Sequence, residues 1–213
     1  MLQEGKINED SPKKGVTALP FPIVPEWTNA GILPPNDPIN PTNRERSPYK
    51  LEAGHFVQRF GTSPQRQKIV KGLLAFRHYL YGIGIIKGFQ WLDGSFVENI
   101  EQIEQRNPKD IDVVTFFELP KGFRSQEDFL EKHSKILDRS WLKNSFSVDS
   151  FCVQIDSPHR YNLIENATYW YSVWSHRRSG QWKGFLEIPL SPEKDESVCK
   201  NLLPIDCERR NVS

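Results

Sequence analysis

The chain has 213 residues, a length that suits one domain or one domain with an appendage. With 37% apolar and 12% aromatic residues it is too aromatic for a wholly disordered chain. The 28 basic and 27 acidic residues leave a formal net charge of +1, so no global field favours nucleic acid or a membrane surface, and a local patch is the only route to either.

No apolar run approaches the roughly 18 residues of a membrane span. The opening Met-Leu-Gln-Glu-Gly-Lys mixes acids with lysines and lacks an apolar stretch, so a secretory signal is not expected. The three cysteines, Cys152, Cys199 and Cys207, are odd in number and fit neither a disulfide framework nor a zinc site. A cytoplasmic location follows as the expectation.

Residues 1–50 hold nine of the sixteen prolines. Proline removes a donor and turns its predecessor away from helix, so this stretch is expected to be an extended arm without its own core. Phe21, Ile23, Val24, Trp27, Ile32 and Leu33 should fasten part of it to a body spanning 51–190. Residues 191–213 are polar and charged, and a loose tail is expected.

The body opens with a short helix near Leu51 to Phe60. Gly61-Thr62-Ser63-Pro64 then reads as a stop and a start, with Thr62 or Ser63 able to cap and Pro64 suited to a first turn. Apolar residues from Ile69 to Leu80 recur at helical spacing up to Gly82 and Gly84, with Arg66, Lys68 and Lys71 on the polar face. Phe89 to Leu92 reads as a short strand, 96–106 as a polar and helical segment, and Ile111 to Phe117 as a strand. Ser125 to Trp141 reads as one long helix, opened by Ser125 with Asp128 three residues on. Phe146 to Ile155 is a further strand, Arg160 to Trp174 a helix and Gly184 to Leu190 a last strand. This alternation predicts an α+β fold, a small mixed sheet flanked by helices.

The informative constellation is Gly94-Ser95, fourteen residues, then Asp110-Ile111-Asp112. Aspartates two apart on a strand share a face, and their mutual repulsion is costly unless a cation intervenes. Mg²⁺ takes few protein oxygens and completes its shell with phosphate and water. Glycine after a strand lets backbone approach a phosphate, and Ser95 adds a hydroxyl. Asp149 lies inside the apolar pattern Val148 to Val153, where an unpaired aspartate needs a reason. Asp156, before Ser157-Pro158, is its rival but has the character of a turn residue. Asp93 reads as a turn acceptor, one residue out of phase with the motif.

Gly94-Ser95 with Asp110-x-Asp112 and Asp149 resembles the signature of the polymerase-β-type nucleotidyltransferase superfamily. Gly31-Ile32-Leu33-Pro34-Pro35, Phe60-Gly61-Thr62-Ser63, Trp91 to Val97 with Pro108 to Asp112, and Lys183-Gly184 resemble more closely a small bacterial branch of it. The resemblance implies that Asp110 and Asp112 hold Mg²⁺ or Mn²⁺, that Asp149 is a third ligand or the base for an acceptor hydroxyl, and that Gly94 and Ser95 contact a nucleoside triphosphate such as ATP. The segment between Ser95 and Asp110, with Glu98, Glu101 and Glu104, is longer than the minimal pattern.

Lys109 beside the aspartate pair and Lys183 are the candidate phosphate-steering cations, with a solvated surface lysine as the alternative for Lys109. His176-Arg177-Arg178 with Lys183 is the densest basic patch, set among Tyr169, Trp170, Trp174 and Trp182. It suits phosphate or base stacking, but the favoured reading is a solvated basic turn after a core-facing helix. Two functions are consistent with these residues. One is transfer of a nucleoside monophosphate to a hydroxyl of a protein, RNA or small molecule. The other is a non-catalytic nucleotide- or partner-binding regulator of the antitoxin or defence type. The sequence leaves the acceptor and the oligomeric state open.

Overall fold

The computed structural model describes residues 24–37 and 39–202. Phe21, Ile23 and Cys207 lie outside the described residues. The chain folds as α+β. Strands β1 (Tyr49–Lys50), β2 (Gly88–Asp93), β3 (Ile111–Phe117), β4 (Val148–Gln154) and β5 (Leu186–Pro189) form one mixed sheet in the order β1-β5-β2-β3-β4. The pairs β1–β5 and β3–β4 are parallel, whereas β2 runs antiparallel to both β3 and β5.

Seven α-helices accompany the described strands: α1 (Ala53–Phe60), α2 (Pro64–Gly82), α3 (Ile100–Glu104), α4 (Gln126–Lys132), α5 (Arg139–Phe146), α6 (Arg160–Trp174) and α7 (Pro192–Leu202). The period-2 alternation of the strands splits the core in two. Ile111, Val113 and Phe117 of β3 join Leu92, Val148 and Leu186 in a main core against α1, α2, α5 and α7. Val114 and Phe116 join Trp91, Val153 and Phe185 on the other face, where Trp170, Tyr171 and Trp174 of α6 cover them.

Side-chain caps account for the starts of three of the helices. The Ser63 hydroxyl accepts from the Arg66 N–H and Pro64 opens α2, as expected of a capped start. Ser125 caps α4 in the same way, through the Asp128 N–H. The expected long helix from Ser125 to Trp141 is instead α4, a 3₁₀ turn at Ser134–Leu137, and α5. Asp138 is the cause: its short carboxylate accepts the Trp141 N–H and starts a new helix.

Two further expectations are corrected. The tail is not loose as far as Leu202: α7 buries Asp195 against Arg77, whose Nε donates at 2.6 Å, while Tyr81 donates to the same carboxylate. Arg77 also donates to Gln90 at 2.8 Å, and Gln90 to Thr115 at 3.0 Å, so a polar chain ties α7 to the sheet. The arm also contributes to the sheet, because β1 lies within residues 1–50 and pairs with β5. Ahead of β1, Trp27 donates to Val97 O at 2.8 Å, Asn99 N–H to Gly31 O at 2.8 Å, and Gly184 N–H to Leu33 O at 2.7 Å.

Gly72 on α2 faces the end of α5. A Cβ there would collide with the carbonyl oxygen of Phe146, whose following residues lead into β4. Glycine to alanine in an unobstructed helix gains about 1 kcal/mol. Here the sign reverses: Gly72→Ala should lower the unfolding free energy by about 2 kcal/mol, measured by denaturant titration.

Candidate functional site

Three adjacent strands each present one aspartate at the same level. Antiparallel pairing sets Asp93 of β2 opposite Asp112 of β3, and parallel pairing sets Asp149 of β4 beside Asp112. All three therefore stand on the α6 face, beyond the aromatic cluster. Asp110 lies two residues before Asp112, just outside β3.

Neutralisation differs from one aspartate to the next. Arg139 grips Asp149 with two hydrogen bonds, at 2.7 and 2.5 Å, and Lys143 adds a contact at 2.8 Å. Burial would raise the Asp149 pKa, but these two cations outweigh it and hold the carboxyl below its usual range. Lys143 also reaches Asp110 at 3.1 Å. Asp93 is buried and ion-paired with Lys183, yet desolvation still pushes its pKa up to about 6.

Asp112 makes no ion pair among the described residues. Burial, then the neighbouring Asp110 and Asp149 charges, raise its pKa to about 6. A carboxylate left in that condition is a place for a cation.

Asp112 and Asp93 open onto a cavity of about 750 Å³. Gly94 and Ser95 form its edge. Gly94 has φ +83°, and a Cβ at that position would collide with the Asp112 carboxylate, so the bend requires glycine on two counts. The Gly94 N–H bonds to Asp93, and Ser95 stands beside it in the cavity lining.

The segment after Ser95 is held from behind by Arg66. Expected on a polar face, Arg66 is 1% exposed. Its guanidinium donates to both Glu101 oxygens at 2.7 Å, to Phe96 O at 2.7 Å and to Glu98 O at 2.6 Å. Four of its five N–H donors are thereby matched in a low-dielectric site, and the segment after Ser95 is tied to α2 at Phe96, Glu98 and Glu101.

The opposite wall is a short hairpin. His176 bridges Trp182, Arg177 N–H donates to Gln181 O at 2.8 Å, and Lys183 N–H donates to Ser175 O at 2.9 Å. Side chains of this segment point into the cavity: Lys183 onto Asp93 and Glu98, and Arg177 onto Glu98 at 3.0 Å.

Of the residues marked by the sequence, Asp112, Gly94, Ser95 and Lys183 line the cavity together, whereas Asp110, Asp149 and Lys109 do not. Lys109 is exposed, and Lys183 is buried as a counterion to two carboxylates. Among the described residues no group of three His, Cys, Asp or Glu side chains stands ready to hold a metal ion. Arg139 and Lys143 pair with Asp149, and Lys183 pairs with Asp93.

Asp93, Glu98 and Arg177 enter the site through register and long-range pairing. Asp93 is in phase with Asp112 once β2 is set antiparallel to β3, a signal available only from the register. No helix among the described residues is long and apolar enough to cross a membrane.

The chain belongs to a family of unknown function, DUF6932. The family model matches residues 25–189, from the described arm through the end of β5, and so takes in every residue of the cavity and leaves out α7. No curated protein and no solved structure gives a significant match.

Asp112 supplies a pH signature. Its pKa near 6 lies above the unfolded value of about 3.9, so its contribution to stability is fully present below pH ~4 and lost as pH rises through ~6. Asp112→Asn removes that loss. In metal-free buffer the variant should match the wild type near pH 4 and exceed it by about 2 kcal/mol at pH 7 in urea unfolding.

Proposed function

We propose that this protein is a metal-dependent nucleotidyltransferase with a polymerase-β-like sheet, which transfers a nucleoside monophosphate from ATP or another triphosphate to an acceptor hydroxyl on a protein, RNA or small molecule. The observation that carries the reading is Asp112: an unpaired, partly desolvated carboxylate between Asp110 and Asp149, on the floor of a cavity edged by Gly94 and Ser95. The location proposed is the cytoplasm.

Asp110 and Asp112 hold Mg²⁺ or Mn²⁺ in this reading. The bound ion supplies charge neutralisation for the triphosphate and the pyrophosphate leaving group. The chain's own residues do the rest. Ser95 donates its hydroxyl to a phosphate oxygen, and Gly94 lets that phosphate come close to Asp112. Lys183, locked on Asp93 and Glu98, keeps the acidic floor compensated so that it does not repel the substrate.

Asp149 takes the acceptor proton or joins the ligand set by releasing Arg139 and Lys143. Those side chains are 56% and 42% exposed, so they can return to water at low cost, whereas Asp149 is fixed on β4. As the acceptor oxygen attacks the α-phosphorus, the bond to the bridging oxygen of pyrophosphate breaks and the hydroxyl proton leaves with the base. Most of the rate then comes from alignment.

A second reading has its own observation. Lys143 lies on both Asp110 and Asp149, and Arg139 on Asp149, so protein cations neutralise two of the three carboxylates. This favours a nucleotide- or partner-binding regulator, of the antitoxin or defence type, that binds without turnover.

Labelled ATP with Mg²⁺ separates the two. Transfer of label with release of pyrophosphate supports the enzyme, and Asp112→Asn should reduce it at least 100-fold while the variant stays folded. Binding of ATP by the wild type with no pyrophosphate released would establish the regulator instead.

A further inference from the structure

The charges that line the cavity are almost completely paired with one another. Lys183 lies on Asp93 and Glu98. Arg177 bridges Glu98 at 3.0 Å and Glu104 at 3.5 Å, and Arg106 holds Glu104 at 2.6 Å. Two lining groups of opposite sign are left without an ion pair among the described residues: Asp112 on the floor and Arg178 on the hairpin wall. Asp112 calls for a cation. Arg178 presents a planar fork of donors to the same space, the geometry that grips phosphate.

The hairpin that carries Arg178 is fastened unusually well for so short an excursion. Its base is closed by the Lys183 N–H bond to Ser175 O, and its strands by the His176–Trp182 bridge and their ring contact at 4.3 Å. Its side chains anchor it to the opposite wall through buried Lys183 and through Arg177. Arg177 and Arg178 are consecutive, and only the first is used by the protein itself. A wall anchored by two cations, Arg177 and Lys183, keeps the backbone that carries Arg178 beside the cavity, which lowers the ordering cost of binding.

We infer that Arg178 is the binding group for the terminal phosphates of a nucleoside triphosphate, so that the hairpin Ser175–Lys183 selects triphosphates over monophosphates and holds the pyrophosphate that leaves. The inference rests on the nucleotide reading above for the identity of the ligand, but its test does not require transfer or a metal. The other source of phosphate, the backbone of a nucleic acid, is an arm of the same test.

Inorganic tripolyphosphate is titrated into the full chain by calorimetry in EDTA. Binding is expected, weakened at least tenfold in Arg178→Ala and partly restored in Arg178→Lys, with AMP affinity unchanged within twofold. Arg178 is exposed and makes no ion pair, so both variants should melt like the wild type. Equal affinity of Arg178→Ala for tripolyphosphate, or no binding by the wild type, would overturn the inference. A single-stranded RNA oligonucleotide that binds more tightly than tripolyphosphate through Arg178 would also overturn it, in favour of an acceptor backbone. Transfer that survives in Asp112→Asn would instead sink the catalytic reading and leave the metal-free result standing, so the two failures are distinct.

Discussion

Three carboxylates at one level of three adjacent strands must be neutralised, and the rest of the site is organised around how that happens. Side chains directly opposite one another on neighbouring strands lie about 5 Å apart, a separation at which like charges repel strongly outside bulk water. Asp93 is compensated by buried Lys183, and Asp149 by exposed Arg139 and Lys143. Asp112, between them, makes no ion pair among the described residues, and burial, then the Asp110 and Asp149 charges, raise its pKa. A sheet that carries such a row is costly to fold. The row is accordingly backed by a wide aromatic and aliphatic core on both faces.

The same constraint explains the peripheral elements. The loop after Ser95 could collapse onto the acids if it were free to move. Arg66 prevents this by satisfying two carbonyls and a carboxylate at once from within α2. The arm ahead of β1 meets that loop from the other side, through Val97 O and the Asn99 N–H, and meets the approach to β5 through the Gly184 N–H. The hairpin after α6 closes the third side. Each is tied by buried or partly buried bonds.

The two functional readings differ in what happens to the exposed cations on Asp149. Long, solvated side chains can leave a carboxylate when a more highly charged ligand arrives, and the exposure of Arg139 and Lys143 makes that exchange inexpensive. A buried lysine such as Lys183 cannot leave in the same way. It would strand two carboxylates away from water. The site therefore has one buried counterion and two exposed ones.

What the sequence determined by itself was local. The span of β3 follows from its β-branched and aromatic run, and the starts of α2 and α4 from Ser63 and Ser125. The break at Asp138 and the helix α7 were missed because a cap and an amphipathic polar segment were read as an interior residue and a tail. Only the tertiary structure decided that Asp93 faces Asp112, that Lys183 crosses ninety positions to reach Asp93, and that Arg66 is a buried clamp. Strand register and long-range ion pairs depend on which surfaces pack together. Side-chain period and capping depend only on neighbours a few residues away.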